Sequence, residues 1–151
     1  EWDEMSFALS MSNLDALALS GDGKVFAVGD TSATTVFVYS EALNQWVLHQ
    51  TIEQGARDLA LDHSGSLLAI TELGTLTVLQ HMASDSQYSV VVQDAEKEAN
   101  SEFGTSVALA SIAETNSLLA VGAPTYSDDK DSIGDYEGSV HIYAVLGDTG
   151  K

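Results

Sequence analysis

FGTSVALASIAETNSLLAVGAPTYSDDKDSIGDYEGSVHIY, the stretch from Phe103 to Tyr143, holds three β-rich runs: Ser106 to Ala110, Leu118 to Gly122 and Ser139 to Val145. Each has the length of a strand and ends in turn residues. An acidic loop separates the second run from the third, and the chain has no other loop like it. Helical periodicity is absent from the stretch, so its apolar residues have to be buried by sheet packing.

Working outward from this stretch, the same unit recurs upstream. ALALS (Ala16 to Ser20), VFAVG (Val25 to Gly29), TVFVYS (Thr35 to Ser40) and NQWVLHQTI (Asn44 to Ile52) form one cycle. DLALD (Asp58 to Asp62), LLAIT (Leu67 to Thr71), TLTVL (Thr75 to Leu79) and QYSVVVQ (Gln87 to Gln93) form a second. Ser20 to Lys24, SGDGK, is a hairpin signal, because its glycines supply the positive φ that tight turns require. The cycles are aligned on Leu17, Leu59 and Val107 in their first strands, Phe26, Leu68 and Leu119 in their second, and Val36, Leu76 and Val140 in their third. Leu59 follows Leu17 by 42 positions and Val107 follows Leu59 by 48.

Four short strands at that period predict an all-β fold of the β-propeller class, with three four-stranded blades per chain. The third cycle lacks a fourth strand, and Trp2 to Met11, WDEMSFALSM, matches the fourth-strand pattern of Trp46 to Ile52. The expected organisation is a single propeller or half-propeller over 1–151. Residues 1–13 form an outer strand completing a blade, 14–56 and 57–102 form two blades, and 103–151 form a blade lacking its outer strand. Three blades alone leave two apolar sheet faces and two strand edges open. The expectation is therefore a six-bladed ring closed by homodimerisation, or a place within a longer propeller. The chain begins with Glu1 rather than Met, which suits a processed product or an excised piece.

Phe103-Gly104, Ser106 to Ala108, Leu119 to Pro124 (LAVGAP) and Gly138 to Tyr143 (GSVHIY) fall in the order and spacing of an FG-GAP repeat. The third blade thus resembles the blades of integrin α-chains. Gly21 to Gly29 and His63 to Ile70 resemble the hairpin shared by FG-GAP variants and WD-repeat-like propellers. The resemblance implies a surface for binding proteins or glycans, commonly extracellular or at the cell surface, with adhesion as its usual use. It also implies calcium between the first and second strands of some blades. Here those loops carry only Asp22, Asp62 and Glu114 as acids. One carboxylate cannot supply the oxygens calcium requires, so that site is not carried over.

Composition narrows the partners. The 151 residues include 23 acidic and 5 basic side chains, for a net charge of −18. That charge repels phosphate backbones and anionic lipid, which disfavours nucleic acid and membrane surfaces as partners. No run is long enough to insert in a membrane as a helix. Cysteine is absent, so disulfides and thiolate metal sites are excluded.

The acidic loop is the best candidate for a metal. Asp129, Asp131, Asp135 and Glu137 occupy positions one, three, seven and nine of a calcium-loop pattern, with Gly134 at six and Asp128 alongside. Position twelve is Val140, where the pattern wants a carboxylate, so calcium is a candidate cofactor of weak affinity. Tyr126 and Tyr136 in this loop, with Glu96, Glu98 and Glu102 in the segment entering the third blade, form a candidate ligand rim for a protein or a glycan. The leading function is a non-catalytic recognition or adhesion module. A structural or assembly scaffold is the alternative, and a propeller glycosidase the second alternative. Asp58 and Asp62 are the only carboxylate pair proposed for the glycosidase, against the plainer role of satisfying backbone groups. His49, His63, His81 and His141 fall in separate strands or loops and suggest no zinc site.

Overall fold

The computed structural model describes residues 13–81, 86–95, 102–112, 116–125 and 138–146. These form eleven strands: β1 (Ala16–Leu19), β2 (Val25–Gly29), β3 (Thr34–Ser40), β4 (Gln45–Ile52), β5 (Asp58–Leu61), β6 (Leu67–Glu72), β7 (Thr75–His81), β8 (Tyr88–Ala95), β9 (Ser106–Ser111), β10 (Asn116–Ala123) and β11 (Ser139–Leu146). They assemble as three antiparallel meanders in the orders β1-β2-β3-β4, β5-β6-β7-β8 and β9-β10-β11. The segment 1–12, expected to supply an outer strand, lies outside the described residues, and the third sheet has three strands among them.

Most strands begin or end one or two residues from their expected bounds. Asn44 is a turn residue with φ of 50° rather than the start of a strand, and β8 runs on to Ala95. The alignment of third strands is also corrected. Ala27 pairs with Val36, Ala69 with Val78 and Ala120 with Ile142, so Val36 corresponds to Val78 and Ile142. Leu76 and Val140 instead correspond to Thr34, two residues earlier. A shift of two keeps the residue on the same face of the sheet, which is why alternation alone could not reveal the slip.

The sheets pack face to face in chain order, with β1, β5 and β9 adjacent. Each blade turns a front face towards the next blade and a back face towards the previous one. The front of the first, Ala16, Ala18, Val25, Ala27 and Val36, is buried against Leu59, Leu61, Leu68, Ile70 and Leu79. The front of the second, Ala60, Leu67, Ala69, Leu76 and Val78, is buried against Phe103, Leu119, Val121 and Ala123, with Val107 and Leu109 beside them. One row repeats in every blade: Ala18–Ala27–Val36, Ala60–Ala69–Val78 and Ala108–Ala120–Ile142. Small front residues thus accept large back residues, and burying a side chain such as Leu68 or Ile70 contributes about 1.5–3 kcal/mol.

The outer strands repeat a detail too. Single-residue bulges place His49 out of register between Leu48 and Gln50, and Val91 between Val90 and Val92. The two lie 42 positions apart, matching the repeat, and a bulge increases the local twist of a strand.

Polar ties cross the seams between blades. The Gln50 side chain accepts from Tyr88 N at 2.7 Å, and Asp94 accepts from the Tyr143 hydroxyl at 3.1 Å. Phe103 is inserted between the second and third blades, while Gly104, at φ of 82°, lies against the Glu72 carbonyl. A Cβ on Gly104 would sit 2.5 Å from that oxygen, so this position admits only glycine without rearrangement. Among the described residues no helix is long and apolar enough to cross a membrane.

Candidate binding rim

Each inner strand is entered at an equivalent position: Asp15 before β1, Arg57 before β5 and Thr105 before β9. The first two make the same backbone bond, Asp15 N to Gly29 O at 2.9 Å and Arg57 N to Thr71 O at 2.7 Å. These entry points share one end of the sheets with the β2–β3, β6–β7 and β10–β11 connections. Among the described residues two clefts open there. The first, about 400 Å³, is lined by Asp15, Thr31, Ala56, Arg57, Glu72 and Leu73. The second, about 540 Å³, lies on the third blade and takes in Thr105, Ser106, Pro124, Gly138 and Val140.

The first cleft combines an exposed apolar side chain, Leu73, with the chain's one arginine and two carboxylates. Arg57 forms no ion pair within 4.0 Å among the described residues, where Lys24–Glu41 at 2.8 Å is the one salt bridge. The guanidinium is therefore available to a ligand. The turn behind Thr31 is firmly built. Asp30 Oδ1 accepts from Ser32 N at 2.7 Å, Ser32 Oγ at 2.7 Å and Ala33 N at 2.9 Å. These bonds, led by the Ser32 hydroxyl, hold the Asp30 carboxyl below the usual range, so it stays charged. Its carbonyl accepts from Ala56 N at 2.8 Å, fixing the wall between the first two blades.

Of the expected rim residues, Glu102 is described. It is exposed, has φ of 54°, and its carbonyl accepts from Thr105 Oγ1 at 2.6 Å, so it shapes the entry to the second cleft. Tyr126, Tyr136, Glu96 and Glu98 lie outside the described residues, as do the candidate calcium ligands Asp128, Asp129, Asp131, Asp135 and Glu137. Among the described residues no cluster of three His, Asp or Glu side chains is arranged to hold a metal.

The opposite end carries the β1–β2 and β5–β6 hairpins, whose carboxylates are spent on the turns. Asp22 Oδ1 accepts from Ser20 Oγ at 2.7 Å and from Lys24 N at 3.0 Å, and the Ser20 bond leads in lowering its pKa. Asp62, buried, accepts from Leu67 N at 3.0 Å through Oδ1 and from Ser64 and Ser66 Oγ at 3.0 and 3.1 Å through Oδ2. Asp22 N donates to His63 O at 2.8 Å and His63 N to Ser111 Oγ at 3.3 Å, linking the hairpins across the blades. Asp58 accepts from Leu59 N at 2.9 Å and, across the seam, from Val107 N at 2.8 Å. Asp58 and Asp62 stand at opposite ends of β5, about 13 Å apart at a rise of about 3.3 Å per residue. A glycosidase pair needs roughly 5–9.5 Å.

Sequence reasoning missed one cluster. His49, His81 and Tyr88 gather at the first seam, with ring centroids 5.0 Å apart for the two histidines and 5.3 and 5.9 Å to the tyrosine. The bulge carries His49 out towards the second blade, and its Nε2 is buried without a hydrogen-bond partner. Burial, then the neighbouring His81, pushes the His49 pKa down. The Tyr88 hydroxyl donates to the Gly65 carbonyl, and burial raises its pKa strongly.

Solved structures similar to this chain include Sqt1 of Saccharomyces cerevisiae, at 13% identity and a TM-score of 0.56, covering 89% of this chain and 36% of that one. Hsv2 of Kluyveromyces lactis is 16% identical with a TM-score of 0.50, covering 89% of this chain and 47% of that one. Both are β-propellers. This chain has the β-propeller fold. It spans less than half the length of either structure. No family model matches the chain, and no curated protein matches it in sequence.

Proposed function

We propose that this chain is a non-catalytic recognition module whose loop rim binds a protein or carbohydrate partner. The observation that carries the reading is the first cleft, where an unpaired arginine and an exposed leucine stand on rigid turns. Polar and apolar groups that converge on a preformed concavity suit recognition. The carboxylates nominated for hydrolysis are instead consumed by backbone and hydroxyl donors, which supports binding over catalysis. The FG-GAP resemblance of the third blade draws the reading towards adhesion outside the cell, with weak calcium binding by the acidic loop.

A protein and glycan array tests it. A hit should weaken at least tenfold in Arg57→Ala and in Leu73→Ala while the melting temperature holds, since both side chains are exposed. Binding untouched by either change would place recognition elsewhere. For calcium, millimolar titration should raise the melting temperature, and Asp129→Asn with Asp131→Asn should abolish the rise. A scaffold role is the second reading, favoured by the apolar faces at both ends of the blade stack.

A further inference from the structure

The cleft between the first two blades holds charges of both signs that the fold does not use. Asp15 stands at the entry to β1, Arg57 at the entry to β5, and Glu72 at the end of β6. Among the described residues none of these three side chains is in an ion pair or a hydrogen bond. Neighbouring carboxylates are different, since Asp30 and Asp58 are occupied by backbone donors. Leu73, 63% exposed, adds an apolar surface beside the three charges.

Two acceptor oxygens of this cleft are held close together. Gly55 is buried and its φ is not positive, so glycine stands there for space rather than for backbone freedom. A Cβ on it would lie 2.5 Å from the Thr31 carbonyl oxygen and 3.0 Å from Glu72 Oε1. No described donor reaches the Thr31 carbonyl. A neutral acceptor and a charged one are thus within the span of one ammonium, whose hydrogen bonds are about 2.7–3.2 Å long.

We propose that this cleft takes a protein segment in which a lysine, an apolar residue and a carboxylate lie close together; the proposal rests on the cleft being a recognition site. The lysine ammonium donates to Glu72 and the Thr31 carbonyl, the apolar side chain covers Leu73, and the carboxylate accepts from Arg57. Other ligands answer the cleft less well. A neutral glycan pairs with none of the charges, and an anionic one meets two carboxylates for one guanidinium. A wholly basic peptide brings its charge against Arg57. Like-charge contacts of this kind are how a site rejects wrong partners. With two carboxylates to one guanidinium, the cleft favours a segment of net positive charge, and the chain's −18 draws such a segment in. A volume of about 400 Å³ suits a few side chains rather than the face of a folded domain.

The test is an array of three-residue cores built from lysine, leucine, glutamate and serine, flanked by glycines and capped at both ends, probed with the 151-residue chain. Cores that combine lysine, leucine and glutamate should bind, and exchanging any one of the three for serine should weaken binding at least about tenfold. In Arg57→Glu the preference should move to cores with lysine in place of glutamate, and in Glu72→Gln the lysine-to-serine exchange should lose most of its cost. A changed preference at wild-type circular dichroism cannot come from lost structure. Equal binding of cores that lack either charge, or binding of glycans alone, overturns the proposed segment. Recognition by this cleft then still stands if Arg57→Ala and Leu73→Ala weaken that binding. Binding that neither substitution alters overturns the cleft and the segment together. No binding of any core at about 1 mM, the weak end of specific affinity, also overturns the segment.

Discussion

Gly104 shows how little freedom a seam residue has. It combines a left-handed backbone with a carbonyl 2.5 Å from where a Cβ would lie. Gly104→Ala should destabilise the protein by about 1–3 kcal/mol from backbone strain alone, read as a fall in denaturant midpoint. Asp62 is a second such point, since three donors converge on its buried carboxylate. Asp62→Ala should cost about 1–3 kcal/mol, because Leu67 N is left buried without this acceptor. Wild-type midpoints in either variant would contradict the roles assigned. The sequence made the glycine visible as half of the Phe103-Gly104 pair. It made the aspartate visible as a turn residue, because turn chemistry is local.

At the scale of the strand, periodicity revealed most of the fold and hid two things. Runs such as VFAVG and LLAIT show a strand buried on both faces, and their 42-residue recurrence shows the blade. The slip that aligned Leu76 with Val36 was hidden because a two-residue shift preserves every facing. The His49 bulge was hidden because an unpaired residue leaves no trace in a pattern of period two. This bulge has a measurable consequence. The His49 pKa lies below the ordinary 6.5 in the folded protein, so the unfolded chain takes up the proton first as pH falls. Stability should therefore be full above about pH 6.5 and decline as the pH drops below it. Melting curves between pH 7.5 and 5 should show this decline, and His49→Phe should flatten it; an unchanged slope in that variant would place the proton elsewhere. The candidate site was less legible than the strands. Arg57 is the chain's one arginine, but its cleft joins residues from position 15 to position 73 that no local motif connects.

Across the whole molecule, charge and packing oppose each other. A net charge of −18 on 151 residues favours expansion, and salt screens it over about 8–10 Å near physiological strength. Raising sodium chloride from 10 to 300 mM should lift the melting temperature at fixed protein concentration; a flat response would mean the acidic groups are too dispersed to matter. The rows Ala18–Ala27–Val36 and Ala60–Ala69–Val78 add something that neither charge nor burial expresses. Read outward from the axis, each is thin, thin, then thick. Side-chain volume along such a row acts as a protractor, holding neighbouring sheets close at the centre and apart at the rim. Enlarging the inner alanines would narrow that wedge, so the angle between neighbouring sheets is encoded in methyl groups on the innermost strands.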